Sequence, residues 1–416
     1  MAREFKDSGI EWIGQIPKEW EASKLKYLTT ILQSGGTPTS SNASLYCEDG
    51  TSWVAIGDMR HCGEISYTQK HLTDEGLKEK SLIVFPVGTL LYSIYASVGK
   101  VSILGIPAAI NQAILAISLN EKAKQEYAKF VLTSMENYVF SLANGNTQFN
   151  LNAGIVSNFV LPLPSLLSQQ RIADYLDKIC GEVDEMVALQ ETMIEELKAY
   201  KQSVITEAVT KGLNPNAPMH DSGIDWIGEI PEHWEVIKLS FLTSKIGSGS
   251  TPTGGANVYV HEGVKFLRSQ NVYFEGLNLN DVAFITETID EEMKGTRVKP
   301  GDVLLNITGG SIGRCYYVDE SLGRANVNQH VSIIRPTKIE TIYLKYSLQS
   351  DLGQNQIALL QTGGNREGLS AAALSNFKIL FPPMSEQRTI ASYLDTKCSE
   401  IDSLIALKQA KIDDLD

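Results

Sequence analysis

The chain has 416 residues, of which 43% are hydrophobic and 20% charged, so it exceeds one average domain and can bury ordinary cores. This composition excludes a disordered chain, and five cysteines without a C-x-x-C pair exclude a small disulfide-rich protein and a cysteine-rich zinc site. The net charge of −13 argues against a protein that binds its partner through an overall basic surface of its own. A local basic patch can still bind phosphate.

The N-terminal segment lacks the apolar run of a signal peptide, which predicts a cytoplasmic protein. It carries a motif that is written twice in the chain: DSGIEWIGQIPKEWE from Asp7 returns as DSGIDWIGEIPEHWE from Asp221. We interpret the tryptophans of both copies as packing anchors. The duplication indicates that the chain contains an internal repeat.

A short polar turn follows in each copy, S-G-G-T-P-T from Ser34 and S-G-S-T-P-T from Ser248. Backbone N–H groups and threonine hydroxyls of this kind suit phosphate oxygens, but a purely structural turn explains the same residues equally well. The candidate contacts in these turns are Thr37, Thr39, Thr251 and Thr253.

Residues 81–120 contain a single charge, Lys100, and resemble a membrane span in composition. Glycines and prolines break the segment, however, and short apolar runs of this kind predict buried strands. The second copy of the segment carries Asp302 and Arg314, which excludes a lipid environment. In both copies a loop of small residues ends in a cation, Lys100 or Arg314.

An amide pair lies within a strand-like run of each copy, at Asn111-Gln112 and Asn328-Gln329. Asn and Gln can pair with adenine edges, and they are at least as often buried hydrogen-bonding residues. Polar loops around residues 144–148 and 362–366 precede the helical parts. The candidate contacts in these loops are Thr147, Gln148 and Arg366.

From Gln169 to about Thr210 there is no proline, and apolar residues recur every three or four positions for about four heptads, with Met186, Tyr200 and Val204 among them. This spacing predicts a coiled-coil seam. A second stripe of this type runs from Ile390 to Leu415. An ordinary core face is the alternative interpretation of either stripe. Because two long stripes recur in one chain, we expect the helices to pack on each other, antiparallel about a pseudo-twofold axis, with the globular parts at opposite ends.

The matched motifs define one unit of about 215 residues written twice, each with a globular and a helical part. The predicted segments are 1–152, 153–212, 213–370 and 371–416, and the last helical segment is shorter than the first. The predicted fold class is α+β, with two pseudo-symmetric mixed α/β domains separated by two long helices that form an antiparallel coiled coil.

The sequence shows no phosphate-binding P-loop, no G-x-S-x-G nucleophile motif and no H-E-x-x-H metal motif. The six histidines are scattered, which predicts no metal site. A structural coiled-coil adaptor would explain the helices but not two duplicated globular domains. A stand-alone enzyme would need a catalytic constellation that the sequence does not offer.

These motifs resemble the specificity subunit of type I restriction–modification enzymes. The resemblance rests on D-S-G-I-[ED]-W-I-G-x-I-P-x-x-W-E, the S-G-x-T-P-T turns, the N-Q pairs, and the P-[SP]-x-x-[SE]-Q-x-x-I-A-x-Y-L-D helix starts at Pro164 and Pro382. It covers the whole chain in the family's order. It implies two target-recognition domains, 1–152 and 213–370, that each read half of a bipartite DNA site.

The resemblance also implies partners. The helical regions would set the spacer and bind two adenine-N6 methyltransferase subunits, through which motor-nuclease subunits join. The chain would then be non-catalytic and bind no cofactor: S-adenosylmethionine would sit in the methyltransferase, and ATP and Mg in the nuclease. The candidate interface residues on the helices are Glu195, Glu196, Lys198, Lys201, Lys408 and Lys411. No membrane contact is expected.

Neither globular segment is basic overall, since residues 1–152 carry 13 basic and 15 acidic residues and residues 213–370 carry 13 and 18. We therefore expect the DNA-binding face to be a local patch. The two copies diverge most between the shared motifs, which predicts different half-sites. The candidate DNA contacts are Thr37, Thr39, Arg60, Lys100, Asn111, Gln112, Thr147, Gln148, Thr251, Thr253, Arg268, Arg314, Asn328, Gln329 and Arg366.

Overall fold

The structure, a computed structural model, describes residues 4–10, 12–59, 63–95, 97–141, 151–360 and 368–415. The chain divides into two compact units, 1–185 and 186–416. The division falls within a helix that spans Leu166–Lys211, longer at both ends than the predicted one. The predicted segment boundaries at residues 152, 212 and 370 stay a prediction. They are drawn between recognition domains and helical regions, whereas the division into two units rests on compactness.

The first unit is built on antiparallel and mixed sheets. Its strands are β1 (Phe5–Ile10), β2 (Gly14–Pro17), β3 (Glu21–Lys24), β4 (Thr29–Ser34), β5 (Tyr46–Cys47), β6 (Thr51–Val54), β7 (Glu64–Ile65), β8 (Lys70–Leu72), β9 (Leu90–Ser93), β10 (Val101–Leu104), β11 (Ala109–Ile110), β12 (Ile114–Leu119) and β13 (Val160–Leu163). Its helices are α1 (Asp74–Glu79), α2 (Gln125–Ser134), α3 (Glu136–Ser141) and α4 (Ala153–Ser157), and α5 (Leu166–Lys211) begins here.

The strands of the first unit form a five-stranded sheet in the order β4-β12-β9-β10-β7 and a four-stranded sheet in the order β11-β6-β8-β5. Strands β9 to β12 occupy residues 81–120, and β9 is buried along its whole length. The prediction of buried strands for this segment is confirmed. In the part of the chain that the structure describes, no helix combines the length and apolarity that a membrane crossing requires.

The second unit repeats this plan. Its strands are β14 (Met219–Asp221), β15 (Glu229–Pro231), β16 (Glu235–Lys238), β17 (Thr243–Ser248), β18 (Val264–Leu267), β19 (Ala283–Ile285), β20 (Val303–Asn306), β21 (Cys315–Tyr317), β22 (Ala325–Val327), β23 (Val331–Pro336) and β24 (Lys378–Phe381). Its helices are α6 (Leu239–Leu242), α7 (Glu287–Glu292), α8 (Thr341–Gln349), α9 (Asp351–Leu360), α10 (Ala371–Ser375) and α11 (Met384–Leu415).

The main sheet of the second unit has the order β17-β23-β20-β21, and β18 pairs with β19 and β22 in a smaller sheet. Strand β23 is antiparallel to β17 and β20, as β12 is to β4 and β9 in the first unit. A parallel pair also recurs, β22 with β18 and β11 with β6. The matching ladders assign residue equivalences between the two units.

Two long helices pack on each other within the second unit. Lys201 Nζ of α5 lies 2.7 Å from Asp402 Oδ1 of α11, and Lys408 Nζ lies 3.3 Å from Met193 Sδ. Residue numbers therefore rise along one helix as they fall along the other. The predicted antiparallel coiled coil is confirmed here, between residues 186–211 and α11.

The predicted seam is partly wrong, because Tyr200 is 54% exposed and Met186 is also exposed. Ile194 and Ile205 are buried instead. An α-helix has about 3.6 residues per turn, whereas a strict heptad assumes about 3.5. A face that is assigned with a strict heptad therefore drifts around the helix and away from its partner. The end of α5 also belongs to the same core cluster as α8, which draws further residues inward.

A buried glutamine fastens each long helix to its globular part. Gln169 accepts a hydrogen bond from the Lys124 N–H at 2.8 Å and donates to the Pro164 carbonyl at 3.0 Å. Gln387 makes the same contacts with the Glu340 N–H, at 2.9 Å, and a proline carbonyl at 2.8 Å. The glutamine of the helix-start motif thus satisfies backbone groups that burial would otherwise leave unpaired.

A lysine–aspartate pair reinforces this joint in both units. Lys129 Nζ lies 2.7 Å from Asp177 Oδ1 of α5, and Lys345 Nζ lies 3.3 Å from Asp395 Oδ1 of α11. Both lysines are buried, and burial lowers the pKa of Lys345 although Asp395 opposes the shift. The aspartates come from the repeated Y-L-D sequence, which the sequence analysis used only as a family motif.

Candidate nucleic-acid interface

Three of the predicted motifs meet at one end of the main sheet in the second unit. The S-G-x-T-P-T turn leaves β17 after Ser248, which pairs with Ser332 of β23. The amide pair ends one residue before β23, and Val331 pairs with Asn306, the last residue of β20. The loop from β20 to β21 ends at Arg314. Because antiparallel partners start and end at the same edge, all three loops emerge together.

The first unit shows the same convergence. Ser34 ends β4 and pairs with Leu115 of β12, and Ile114 pairs with Ser93, where β9 ends. The turn, the amide pair and the loop that ends at Lys100 therefore share one end of the sheet. We call these two ends the sheet-end faces: Thr37, Lys100 and Gln112 mark the face of the first unit.

Equivalent residues mark the sheet-end face of the second unit. They are Thr251, Arg314 and Gln329, each at the position that the ladders match to its counterpart. Sequence reasoning singled out these motifs separately, and in each copy the turn precedes the other two by about 60 to 80 residues. Only the sheet register brings them together.

The glycine of each turn is required by a close backbone approach. A Cβ on Gly35 would lie 1.8 Å from the Ile110 carbonyl oxygen, and a Cβ on Gly249 would lie 2.0 Å from that of Val327. No side chain fits at such distances, so the turn can approach the strand this closely only with glycine at this position. This contact fixes the position of the threonine that follows.

That threonine bonds the glutamine of the amide pair in both units. Thr37 donates its hydroxyl hydrogen to Gln112 Oε1, and Thr251 donates to Gln329 Oε1. Both glutamines are exposed, so each amide remains accessible at the surface. The threonine hydroxyls predicted as direct phosphate ligands are thus engaged in orienting a neighbouring amide.

The asparagines of the amide pairs have a different position. Asn111 and Asn328 are buried, and their Oδ1 atoms accept from the backbone N–H of Ala113 at 3.0 Å and of His330 at 3.1 Å. Such Asx turns shape the backbone before a strand. The structure therefore presents the glutamine at the surface and keeps the asparagine within the turn.

The second unit extends the amide contact by two residues. Gln329 Nε2 lies 2.9 Å from His330 Nε2, and His330 Nδ1 lies 2.6 Å from Thr308 Oγ1. The ladders match His330 with Ala113 and Thr308 with Tyr95, an exposed tyrosine. Sequence reasoning missed His330, although a histidine directly after one amide pair and an alanine after the other was a visible difference.

The candidate cations differ in how they are held. Arg314 stacks on Tyr273, with its guanidinium carbon 4.8 Å from the ring centre, and it forms no ion pair with the described residues. Arg268 instead bonds Asp281, with Nη2 2.8 Å from the carbonyl oxygen and 3.3 Å from Oδ2. Lys100 is half-buried. Arg314 is the more available cation of the second unit.

The outer threonine of the first turn is bonded to an acidic side chain. Thr39 donates from Oγ1 to Glu79 Oε1 at 2.6 Å and from its backbone N–H to Oε2 at 2.9 Å. These hydrogen bonds lower the pKa of the Glu79 carboxyl. A carboxylate beside Thr39 disfavours phosphate there. Thr253 lies exposed in the second turn.

Four predicted contacts, Arg60, Thr147, Gln148 and Arg366, lie outside the described residues. The chain that follows the last three is described, and it returns to the sheet ends. The Leu151 N–H donates to the Ile94 carbonyl at 3.1 Å, and the Leu369 N–H donates to the Ile307 carbonyl at 2.8 Å.

The predicted interface residues on the helices fall into two groups. Lys201 and Lys408 contact the opposite helix and help to hold the pair together. The members of the other group point outward, and two of them form an ion pair within α5. This outward group consists of Glu195, Glu196, Lys198 and Lys411.

Exposed apolar side chains accompany this outward group. Leu407 of α11 is 66% exposed, and Leu404 and Leu189 are also exposed. Apolar side chains in a row on a helix surface are typical of a protein interface. Within the described ranges, no group of three or more His, Cys, Asp or Glu side chains is arranged to hold a metal ion.

The known proteins that resemble this chain in sequence belong to one family. The sequence profile of the type I restriction modification DNA specificity domain matches residues 17–199 and 231–415. The MjaVIII specificity subunit of Methanocaldococcus jannaschii is 28% identical over 342 residues, which are 80% of this chain and 76% of that protein. The EcoKI specificity subunit of Escherichia coli K12 is 23% identical over 94% of this chain and 86% of its own length.

Solved structures share the fold. A chain from a study of complex assembly and conformational transition in the type I R-M system has a TM-score of 0.69 at 18% identity, covering 96% of this chain and 95% of that one. The HsdS subunit from Thermoanaerobacter tengcongensis has a TM-score of 0.50 at 18% identity, covering 96% and 97%. With both repeats matched by the family profile, the chain belongs to the type I restriction–modification DNA specificity subunits, which recognise DNA sequence, act with the other subunits of the system and have no active site of their own.

Proposed function

We propose that each unit reads one half of a bipartite site in double-stranded DNA through its sheet-end face. The observation that carries this proposal is the convergence of turn, amide pair and cation-bearing loop at the same sheet end in both units. Two equivalent faces on one chain suit a target with two separated halves.

The chemistry of each face supports this role. A glutamine amide whose oxygen accepts from a threonine keeps one lone pair for a ligand, and at least one of its N–H groups is also left. A glutamine can pair with the N6 and N7 positions of adenine in the major groove. Arg314 and Lys100 lie on the adjoining loops, where cations can neutralise phosphates and set the register of the protein on the duplex.

We propose further that the long helices set the spacer between the half-sites and bind two adenine-N6 methyltransferase subunits, one for each repeat. The outward apolar side chains Leu404 and Leu407, with charged neighbours such as Lys411, support a protein partner on α11. Motor-nuclease subunits would join through the methyltransferases. S-adenosylmethionine, ATP and Mg would be bound by those partners, in the cytoplasm.

A domain exchange tests whether each unit recognises its half-site independently. Residues 1–152 would be replaced by the corresponding segment of another specificity subunit, and methylated adenines would be mapped genome-wide in a host with the matching methyltransferase. We expect one half of the target to change while the other half and the spacer stay the same. A change in both halves would contradict independent reading.

A longer helix tests the spacer. One heptad inserted in α5 adds ~10 Å at ~1.5 Å per residue, equivalent to about 3 base pairs of DNA. We expect a longer spacer between unchanged half-sites. An active variant with the original spacer would contradict a role of the helix as a ruler.

The mass of the co-purified complex tests the assembly. Two methyltransferases per chain are expected, and a final one-to-one complex would contradict the proposal. Leu407→Glu places a charge in the apolar surface of α11 and should weaken association. Gln409→Glu is the matched control, since it adds the same carboxylate at an exposed polar position on the opposite side of the same helix.

A further inference from the structure

The second unit carries a chain of four side chains that the first unit lacks. It runs from Thr251 through Gln329 and His330 to Thr308. Gln329 lies on the sheet-end face, whereas His330 is half-buried directly behind it. Each link is a hydrogen bond, so the donors and acceptors along the chain depend on one another.

The order of donors follows from the amide. Gln329 Nε2 can only donate, so the His330 Nε2 atom that faces it must accept. The imidazole proton then lies on Nδ1, which donates to Thr308 Oγ1. With the amide nitrogen held on this side, the oxygen faces Thr251 and accepts its hydroxyl hydrogen. The tautomer of His330 and the orientation of the Gln329 amide are thus coupled.

Among its described residues, the first unit shows no equivalent restraint. Gln112 bonds Thr37, but Ala113 stands where the second unit has His330, and alanine offers no hydrogen bond to an amide. A threonine hydroxyl can donate to an amide oxygen or accept from an amide nitrogen. The same holds for Thr251 and Thr308 at the two ends of the chain in the second unit. What distinguishes the units is the number of contacts, since the Gln112 amide is held at one atom and the Gln329 amide at two.

We propose that His330 is a positioning residue that holds the Gln329 amide at a second atom and thereby sharpens the choice of base edge that the second unit accepts. The proposal rests on the proposed function of the sheet-end face. A fixed amide presents its oxygen at one place and its N–H at another, which complements the donor N6 and acceptor N7 of adenine. An amide free to turn presents either group at either place and discriminates less.

Three substitutions at one position separate positioning from simple packing. His330→Ala copies the first unit and removes the restraint. His330→Gln places an amide oxygen near the former Nε2 atom, where it can accept from Gln329. His330→Asn places its amide near the former Nδ1 atom, where it can reach Thr308 but not Gln329. The Gln and Asn variants are both polar and uncharged, so they form a matched pair.

The experiment maps methylated adenines genome-wide for each variant, with the full chain assembled with its methyltransferase partner. We expect His330→Ala and His330→Asn to lose about tenfold discrimination at one base pair of one half-site, as for the loss of one bidentate contact. We expect His330→Gln to retain the original preference. The half-site read by the first unit should stay unchanged in all three.

Two outcomes would overturn the inference. One is an unchanged half-site in His330→Asn with normal methylation, and the other is equal loss in His330→Gln and His330→Asn. If His330→Ala fails to fold, the Gln and Asn pair still decides. Gln329→Leu separates this inference from the proposed function: an unchanged target in that variant would show that the face does not read DNA, whereas a changed target leaves His330 to be judged on its own variants.

Discussion

The two units share a hydrogen-bond framework but bury different groups beneath it. At the start of the central strand, the first unit has Thr89, whose hydroxyl donates to the Pro86 carbonyl at 2.8 Å. The second unit has Asp302 at the matching position, fully buried and bonded to Arg335, with Nε 2.7 Å from Oδ1. The ladders match Arg335 with Ser118. A hydroxyl and an ion pair thus occupy equivalent places.

The helices α1 and α7 show the same contrast. Leu77 of α1 packs on an apolar cluster that contains Trp53 and Leu72. The matching residue of α7 is Asp290, which is fully buried. Arg297 Nε donates to its carboxylate at 2.8 Å and Asn326 Nδ2 donates at 2.8 Å.

Burial opposes the ionisation of Asp290, but the hydrogen bonds from Arg297, Asn326 and Arg324 outweigh it and lower the pKa of the carboxyl. The fold therefore requires buried polar groups to be hydrogen-bonded at these positions, whatever their particular chemistry. The surface motifs, in contrast, recur almost residue by residue.

Removal of one member of the buried ion pair should have the largest effect. Arg335→Ser leaves the Asp302 carboxylate buried without its partner, which costs about 3–5 kcal/mol in the free energy of unfolding. The double variant Asp302→Thr/Arg335→Ser installs the residues of the first unit and should recover much of this loss. Hydrogen exchange in peptides from β20 and β23 measures the change, with β9 and β12 as the internal reference. A double variant less stable than the single one would contradict this account.

Alanine at the turn glycines should disturb each unit separately. Gly35→Ala and Gly249→Ala force a methyl group against a backbone carbonyl, and we expect a loss of about 1–3 kcal/mol in the stability of the affected unit. Each variant should also weaken selection of one half-site. Gly247→Ala is the control, since a Cβ there meets no atom within 4 Å. The same loss in the control would show that the close approach is not responsible.

Acid should destabilise the second unit through Asp290. Its carboxyl pKa is lower in the folded chain, so its contribution to stability is present above the ordinary pKa of about 4 and is lost as the pH falls through the lowered value. Hydrogen exchange in peptides from α7 should increase over this range, and Asp290→Asn should remove that dependence. Peptides from α1, where Leu77 occupies the site, provide the comparison. An equal acid response in the Asn variant would contradict the assignment.

Single phosphate contacts should give the smallest effects. Arg314→Ala and Lys100→Ala should weaken binding to all DNA sequences alike and reduce the slope of log K against log salt by about one unit each. Arg268→Ala should change the slope less, because Asp281 already neutralises that guanidinium. Titration of binding between low and moderate salt gives the slopes. Altered base preference with an unchanged slope for Arg314→Ala would mean that it contacts bases.

Much of the candidate site was visible in the sequence because it is written twice. The turn around Thr37, the amide at Gln112 and the cation at Lys100 each recur in the second copy, and duplication exposes short motifs that are weak signals alone. The bond between Thr37 and Gln112 was not predictable, since it joins residues 75 positions apart. Only the register of β4 against β12 brings them together.

The helices show the same limit. Their length follows from apolar spacing, which is a local property of the chain, and their antiparallel packing follows from the duplication. The exposure of Tyr200 and the inward position of Lys201 do not, because a small rotation of the helix decides which side chains face the partner.

The sequence by itself therefore determined the repeat, the strand and helix content and the family, since these depend on patterns along the chain. Tertiary structure decided which of the repeated polar residues reach the surface. Asn111 and Gln112 are neighbours of similar chemistry, yet the asparagine is buried in its turn and the glutamine is exposed. Adjacent side chains next to a strand point in different directions, and only the packing around the sheet determines which of them meets solvent.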